Sequence, residues 1–370
     1  MVAVRLETGQ AWESMETSVI TTEQGFVSLH SEWDSLADTL DLPSPFHSWD
    51  WNYVWWKHFG RRPHLVVFRS DGRLVGLAQL QERRHGWVTS LVPIGWGNLL
   101  TEQLELLFPR AQRPRLMAAL RGHLAESRWG WVGLSGLEDG DLAEGLDGLG
   151  VASTVNMPFE YRELPATWDE MVRGLNRSMR GNVKYYPRLM LREGLPFELR
   201  FAESAADVSA ALPTIYRLHS ARAATQDGVT HKDYLERADH RAFLDEVAPI
   251  LAARGEMKVA LLEVRGQVIA GQVWLESDRT IFLYYSGYLP EWSRFSVAMI
   301  TTSEILKYGI ARGKDRVEFL RGTGHFKTRW DTCRRYQLEM TWARRARTLR
   351  VLLDSYRGGR QVLRRARRAI

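Results

Sequence analysis

The sequence predicts a mixed α/β fold of the α+β class, built from one unit that occurs twice. Three observations carry this expectation. Helical apolar spacings alternate along the chain with period-two strand runs, the mark of helices packed on a sheet. The segments LVVFRSDGRLVGLAQL and VALLEVRGQVIAGQVWL share an apolar strand, a glycine turn and a second strand containing glycine, with Gly72 and Gly266 194 residues apart. A chain of 370 residues is long for one domain and comfortable for two.

In chain order, residues 1–20 are polar and aperiodic and are expected to be poorly ordered. From Thr22 to Gly60 the apolar spacing predicts two helices around the turn DLPSP, the second carrying Trp51, Trp55, Trp56 and Phe59. HLVVFRSDGRLVGLAQLQ predicts a hairpin, because Asp71-Gly72 suits a tight turn with two positive φ angles. WVTSLVPI and WGWVGLSGL read as strands on either side of a helix from Arg113 to Glu126. The second half opens near Thr167, an N-cap with Glu170 three residues on, the spacing of a capping box. One long helix to Gly194 is expected there, then helices over Ala205–Ala221 and His231–Arg254. The pattern returns to period two in KVALLEVRGQVIAGQVWLE and RTIFLYYSGYL, passes through a helix from Val297 to Ala311, and ends in the strand DRVEFL. The domain expectation is therefore a first unit over 21–160, a second over 161–342 and a tail over 343–370.

Hydrophobic content of 45% and charged content of 25% suit a globular chain. One cysteine, Cys333, excludes an internal disulfide framework and a cysteine-rich metal site. No clustered His/Asp/Glu spacing points to a metal, and no apolar run approaches the ~20 residues of a membrane span, so the expected compartment is the cytoplasm. The net charge of +6 is uneven: Thr341–Ile370 holds ten Arg against one Asp, leaving 40 basic and 43 acidic groups elsewhere. Fifteen Trp is a high count, and such aromatics form either a core or the wall of a groove.

The second half resembles the Gcn5-related N-acetyltransferase (GNAT) superfamily, and within it the CelD-like branch related to the Fem-type peptidyltransferases. ELPATWDEMVRGLNRSMRGNVKYYPRLMLREG resembles the family's helix entry, LHSARAATQDG its Leu-His-x-x-Arg segment, VRGQVIAGQVWLESDRTIFLYYSGY its central hairpin and Tyr-rich strand, and FLRGTGHFKTRW its strand-end signature. The resemblance covers Tyr161 to Trp342 and implies two fused GNAT-like domains, each a mixed sheet flanked by helices. It also implies transfer of an acyl group from a thioester donor, acyl-CoA or acyl carrier protein, to an amine. The family binds the donor's pyrophosphate on backbone N–H groups where a Gly-containing loop opens a helix. Here the stretch is EWSRFSVAMI, without glycine, so the candidate amides are those of Phe295, Ser296 and Val297. Thr323 and Phe326 stand where an acidic residue and a tyrosine are usual.

Acyl transfer to an amine needs a base, a group that stabilises the oxyanion and a proton for the leaving group. His219 is the base candidate because imidazole titrates near neutrality; the alternative is a histidine bonded within its helix. Arg222, one turn on, shares its face and either holds an acceptor anion in bidentate fashion or pairs with a nearby acid. Lys327 follows the Gly-Thr-Gly turn and, by resemblance, faces the groove, the alternative being a solvated loop lysine. Tyr285 is the proton-donor candidate among Tyr284, Tyr285 and Tyr288, and His325 and Trp330 complete the substrate-facing set.

The expected activity is direct sequential N-acyl transfer with no permanently bound cofactor, the thioester serving as cosubstrate and a small molecule or peptide supplying the amine. A groove lined by the aromatics would admit a chain longer than acetyl. The alternatives are a Fem-type reaction with aminoacyl-tRNA as donor, and a non-catalytic binding protein that keeps the fold. Trp342, Ala346, Leu349, Leu353 and Tyr356 follow helical spacing in the Arg-rich tail, which would suit an anionic membrane surface, an acidic carrier protein or RNA.

Overall fold

A computed structural model describes residues 15–85, 88–138, 140–141, 151–224 and 232–343. Its strands are β1 (Met15–Ile20), β2 (Pro63–Ser70), β3 (Arg73–His85), β4 (Val88–Pro93), β5 (Trp131–Leu137), β6 (Val151–Glu163), β7 (Phe197–Ala202), β8 (Met257–Val264), β9 (Gln267–Glu276), β10 (Thr280–Tyr288), β11 (Arg316–Arg321) and β12 (Cys333–Ala343). They form one 12-stranded sheet in the order β1-β2-β3-β4-β5-β12-β6-β11-β10-β9-β8-β7.

The order contains the expected repeat. β1 to β4 run antiparallel and β5 joins β4 in parallel; β7 to β10 run antiparallel and β11 joins β10 in parallel. The two units then exchange their last strands, β12 lying beside β5 and β6 beside β11, while β6 and β12 pair with each other over eleven residue pairs. The matching hairpins agree closely. Asp71-Gly72 has φ 49° and 76°, Arg265-Gly266 has φ 49° and 77°, and each second strand then bulges within a few residues of its turn. Both positive φ angles are what a two-residue hairpin of this twist requires.

The exchange corrects the expected boundaries. The border at 160/161 falls inside β6, and β12 of the second half closes the sheet of the first. Residues 15–20, expected to be disordered, pair with β2 as an edge strand, whereas 1–14 lie outside the described residues. Trp342, expected in a tail helix, lies in the last residue pairs of β12, which ends at Ala343; the rest of the tail, 344–370, lies outside the described residues.

The helices are α1 (Glu23–Ser28), α2 (His30–Ala37), α3 (Trp49–Phe59), α4 (Arg113–Glu126), α5 (Trp168–Arg173), α6 (Arg177–Arg192), α7 (Ala205–Ala223), α8 (Ala238–Ala253), α9 (Val297–Ala311) and α10 (His325–Thr328). Thr167 and Glu170 form the capping box that opens α5. The long helix expected from there is broken, because Asn176 caps a second helix by accepting from Met179 N–H at 2.9 Å. Asn176 is itself held by Asp331, through its backbone N–H and through its amide at 3.1 Å. The break therefore docks α6 onto the end of the signature stretch.

The tryptophan of α2 and most of those of α3 are core. Trp33, Trp51 and Trp55 are fully buried in a cluster that runs from the helices of the first half to those of the second. Two of them also reach a loop that leaves β4: Trp51 Nε1 donates to Thr101 Oγ1 at 2.9 Å and Trp55 Nε1 to Asn98 Oδ1 at 3.2 Å. Buried indole N–H groups need acceptors, and here they fix the loop that builds the site. Among the described residues no helix is long and apolar enough to cross a membrane.

Candidate active site

β10 and β11 pair at only three positions, Thr280 with Arg316, Ile281 with Val317 and Phe282 with Glu318. β10 then bulges. Leu283 lies opposite Trp274 and Ser286 opposite Gln272, so β10 holds one residue more than β9. A bulge bends its strand and sharpens its twist, and β10 turns away from β11 as the pairing stops. The carboxyl ends of the two parallel strands are thus left unpaired with each other, and such ends are the usual place for a ligand in a sheet of this kind.

α7 grips the strand just past the bulge. His219 Nδ1–H donates to the Ser286 carbonyl at 3.0 Å, and Arg222 Nη1 donates to the Ser286 hydroxyl at 2.9 Å. The shared helix face expected from the sequence is thus used, by both side chains on one residue. Tyr234 N–H points at His219 Nε2 at 3.4 Å, so both ring nitrogens are engaged and the imidazole is neutral with its proton on Nδ1. Burial lowers the pKa of His219, against the pull of the Ser286 carbonyl and of Asp233. The approach of α7 depends on Gly287, where a Cβ would lie 2.3 Å from the backbone of Leu218 and His219. Arg222 also lies over the Tyr288 ring, 5.6 Å from its centre.

The opposite side comes from the first half. The loop after β4 turns through Gly95, Gly97 and Leu99, with φ 97°, 106° and 62°. The Tyr284 hydroxyl donates to the Leu100 carbonyl at 2.6 Å and that of Tyr285 to the Leu99 carbonyl at 3.2 Å. Both phenols are held protonated, first by burial and then by neighbouring groups that include Glu102. Glu102 accepts from Arg321 N–H, at the end of β11, at 3.2 Å. Burial raises its carboxyl pKa, against the positive charges of Arg321 and Lys327. No sequence motif marks Glu102; its only signal is an acid a few residues after Gly95 and Gly97.

Lys327 sits on α10, and Nζ donates to the carbonyls of Leu320 (3.1 Å) and Arg321 (2.6 Å). Burial lowers its pKa, while Glu102, Glu160 and Glu318 counteract the shift. It is therefore a held cation at the end of β11, not a solvated loop lysine. Beneath it, Glu160 and Glu318 are fully buried yet paired, Glu160 with Arg334 at 2.6 Å and Glu318 with Arg316 at 2.7 Å.

The remaining candidates divide. His325 is exposed at the start of α10. Trp330 is fully buried in the second core cluster, beside Phe319, and gives a substrate no surface; its role is packing. Phe295 and Val297 bury their side chains at the start of α9, and Ser296 between them has φ 50° and caps the helix without a side-chain bond. The turn that a glycine would make is thus made by Ser296 in the left-handed region.

A cavity of about 1020 Å³ opens at the amino ends of β10 and β11. Its walls are charged, including Asp34, Asp38, Glu256, Asp278, Arg254 and Arg316. The aromatic groove expected between the halves is absent here, because the α3 tryptophans lie inside the core. His30, Asp34 and Asp50 come close enough together to hold a cation, but Arg254 already donates to both aspartates at 2.8 Å. Glu256 is pushed up to about 7, chiefly by burial and further by Asp34 and Asp50, against Arg254. A carboxyl raised in the fold stabilises it below the ordinary value and loses that contribution as pH rises towards 7. Glu256→Gln is therefore expected to raise unfolding free energy by about 1–2 kcal/mol at pH 8 and to change little at pH 4; urea titrations at the two pH values check this.

Residues 177–328 match the family model of the acetyltransferase (GNAT) domain. No curated protein matches the chain. Among solved structures it is similar to FemX, at 13% identity and TM-score 0.62 over 88% of this chain and 96% of that one. It is also similar to the C-terminal domain of a putative lysylphosphatidylglycerol synthetase from Agrobacterium fabrum, at 9% identity and TM-score 0.52 over 90% and 96%. A conserved protein of unknown function from Bacteroides thetaiotaomicron matches at 10% identity and TM-score 0.52 over 85% and 97%. At such identities the likeness is one of fold. Residues 177–328 thus carry a GNAT-type acetyltransferase domain, and the repeated strand order makes the fold one of two fused GNAT-like units, similar in fold to FemX.

Proposed function

We propose that the chain is a CelD-like N-acyltransferase that moves an acyl group from a thioester donor, acyl-CoA or acyl carrier protein, to an amine by direct sequential transfer at the carboxyl ends of β10 and β11. The observation that carries this reading is the bulge at Leu283–Ser286. Past it the inner edge of β10 has no strand partner on the β11 side, and an extended donor arm can pair with such an edge. The donor's phosphates would lie on the backbone amides of Phe295, Ser296 and Val297, where α9 begins.

In this reading Glu102 accepts the proton of the acceptor's ammonium group. The amine nitrogen then attacks the thioester carbon; as the C–S bond breaks, Tyr285 donates its proton to the departing sulfur and takes back the second proton that the new amide nitrogen sheds. Lys327 places positive charge beside the developing oxyanion. His219 and Arg222 hold Ser286, and with it the strand edge on which the donor lies. The acceptor is an amine-bearing small molecule or peptide, and the compartment is the cytoplasm.

A ladder of CoA thioesters, from free CoA through acetyl to long acyl, tests the donor by thermal shift. A true donor at one hundred times its Kd stabilises the fold by about 2.7 kcal/mol. Binding is expected to be strongest for short acyl groups, since no open aromatic groove lines the described cavities. A flat response along the ladder and along a matching carrier-protein series would overturn the thioester reading. The likeness in fold to FemX favours a second reading, Fem-type transfer from aminoacyl-tRNA, and ribonuclease-sensitive activity would select it.

A further inference from the structure

α6 carries Arg177, Arg180, Lys184, Arg188 and Arg192 and no acidic residue. Their spacings of three, four, four and four residues put all five cations on one face of the helix, a stripe about 22 Å long. All five are exposed, and among the described residues none is ion-paired to a carboxylate. The opposite face buries Met179 and Met190 in the core, so the stripe faces outward by construction.

Two apolar side chains share the charged face. Tyr185 is 49% exposed and Leu191 59%, and Arg192 lies 5.7 Å from the centre of the Tyr185 ring. Gly181 sits in the same face, and a Cβ there would meet nothing within 4 Å. Glycine in a helix interior costs about 1 kcal/mol relative to alanine, and packing within this chain gives no reason for it. A low point between cations does let another backbone come close.

α6 also lies next to the donor loop. It packs against α9 and against the turn Pro290–Phe295, and its C-cap Glu193 pairs with Arg294 at 2.5 Å. A macromolecule seated on the stripe would therefore stand beside the place where the donor's arm enters.

We infer that this face of α6 docks an acidic, amphipathic helix of an acyl carrier protein, which presents its thioester arm to the carboxyl ends of β10 and β11. The inference rests on the thioester reading above. Charge complementarity favours a polyanion, and the mixture of Arg, Tyr and Leu with a glycine gap favours a protein helix over nucleic acid, since a phosphate backbone offers Leu191 nothing apolar.

The test uses the full chain with a holo acyl carrier protein from a type II fatty-acid system. Affinity is measured by fluorescence anisotropy at 50 and 300 mM salt, for the wild type, for Arg180→Glu/Lys184→Glu/Arg188→Glu and for Leu191→Ala. The expected result is binding that weakens with salt, at least about tenfold loss in the triple variant, a smaller loss in Leu191→Ala, and unchanged thermal shift with short-chain acyl-CoA in both. Circular dichroism confirms that the variants fold. Equal carrier affinity in wild type and triple variant overturns the inference, as does competition by a short RNA duplex with no loss in Leu191→Ala. Response to acyl-CoA without carrier binding overturns it while leaving the thioester reading intact; response to neither overturns both.

Discussion

Replacing Glu102 by glutamine is expected to lower kcat/KM by at least about a hundredfold while leaving the fold intact. The variant keeps the shape of the side chain and removes only its capacity to take a proton. Because burial raises the Glu102 carboxyl above the ordinary 4.5, its ionised form burdens the fold at high pH. Stability contributed by this group is complete below the ordinary value and fades as pH rises through the folded one. At pH 8 the glutamine variant is therefore as stable as the wild type or more so, and lost activity cannot be assigned to unfolding. The wild-type pH profile of kcat/KM should fall on the acid side through a pKa above that of a solvated glutamate, and the variant should lack this limb. A variant with full activity and the same limb would move the base to His219. Its limb would lie below that of a free imidazole, since burial lowers that group.

Gly287→Ala is expected to destabilise the protein by about 3 kcal/mol and to abolish most of the activity. The added methyl would lie 2.3 Å from His219 N and 2.3 Å from Leu218 C. Both are backbone atoms, so no side chain can swing aside, and α7 has to lift from β10. With it go the bonds of His219 and Arg222 to Ser286, which fix the strand past the bulge. Gly271, its partner on β9, provides a contrast. A methyl there meets the end of the Ile215 side chain at 2.7 Å, which can turn away, and the loss should be smaller. Urea unfolding together with a donor-binding assay separates the two. Undiminished stability in Gly287→Ala would mean that α7 does not depend on this close approach.

Much of the fold is legible in the sequence because it rests on local rules. The Asp71-Gly72 turn, the Thr167 capping box, the helices at Arg113–Glu126 and Val297–Ala311, and the glycine-turn repeat each follow from residues within a few positions of one another. Where pairing partners are remote, that legibility ends. β12 begins CRRY, without a clear strand signal, and is a central strand only because β5 and β6 flank it. The break before α6 has a similar origin, since Asp331 holds Asn176 from 155 residues away.

The site divides along the same line. The sequence by itself determined the repeated unit, the common face of His219 and Arg222, and a cation just past the turn that ends β11, because helical and strand periods set which side chains lie side by side. Only the tertiary structure decided what those side chains do. It put both members of the His-Arg pair on Ser286, buried Trp330 in the core and brought Glu102 across from the first half. That last step depends on Trp51 and Trp55 of α3, whose indole N–H groups fix the loop carrying Glu102. Nothing near Glu102 in the chain encodes its position, because the groups that hold it and raise its pKa come together only when the two halves share one sheet and one core.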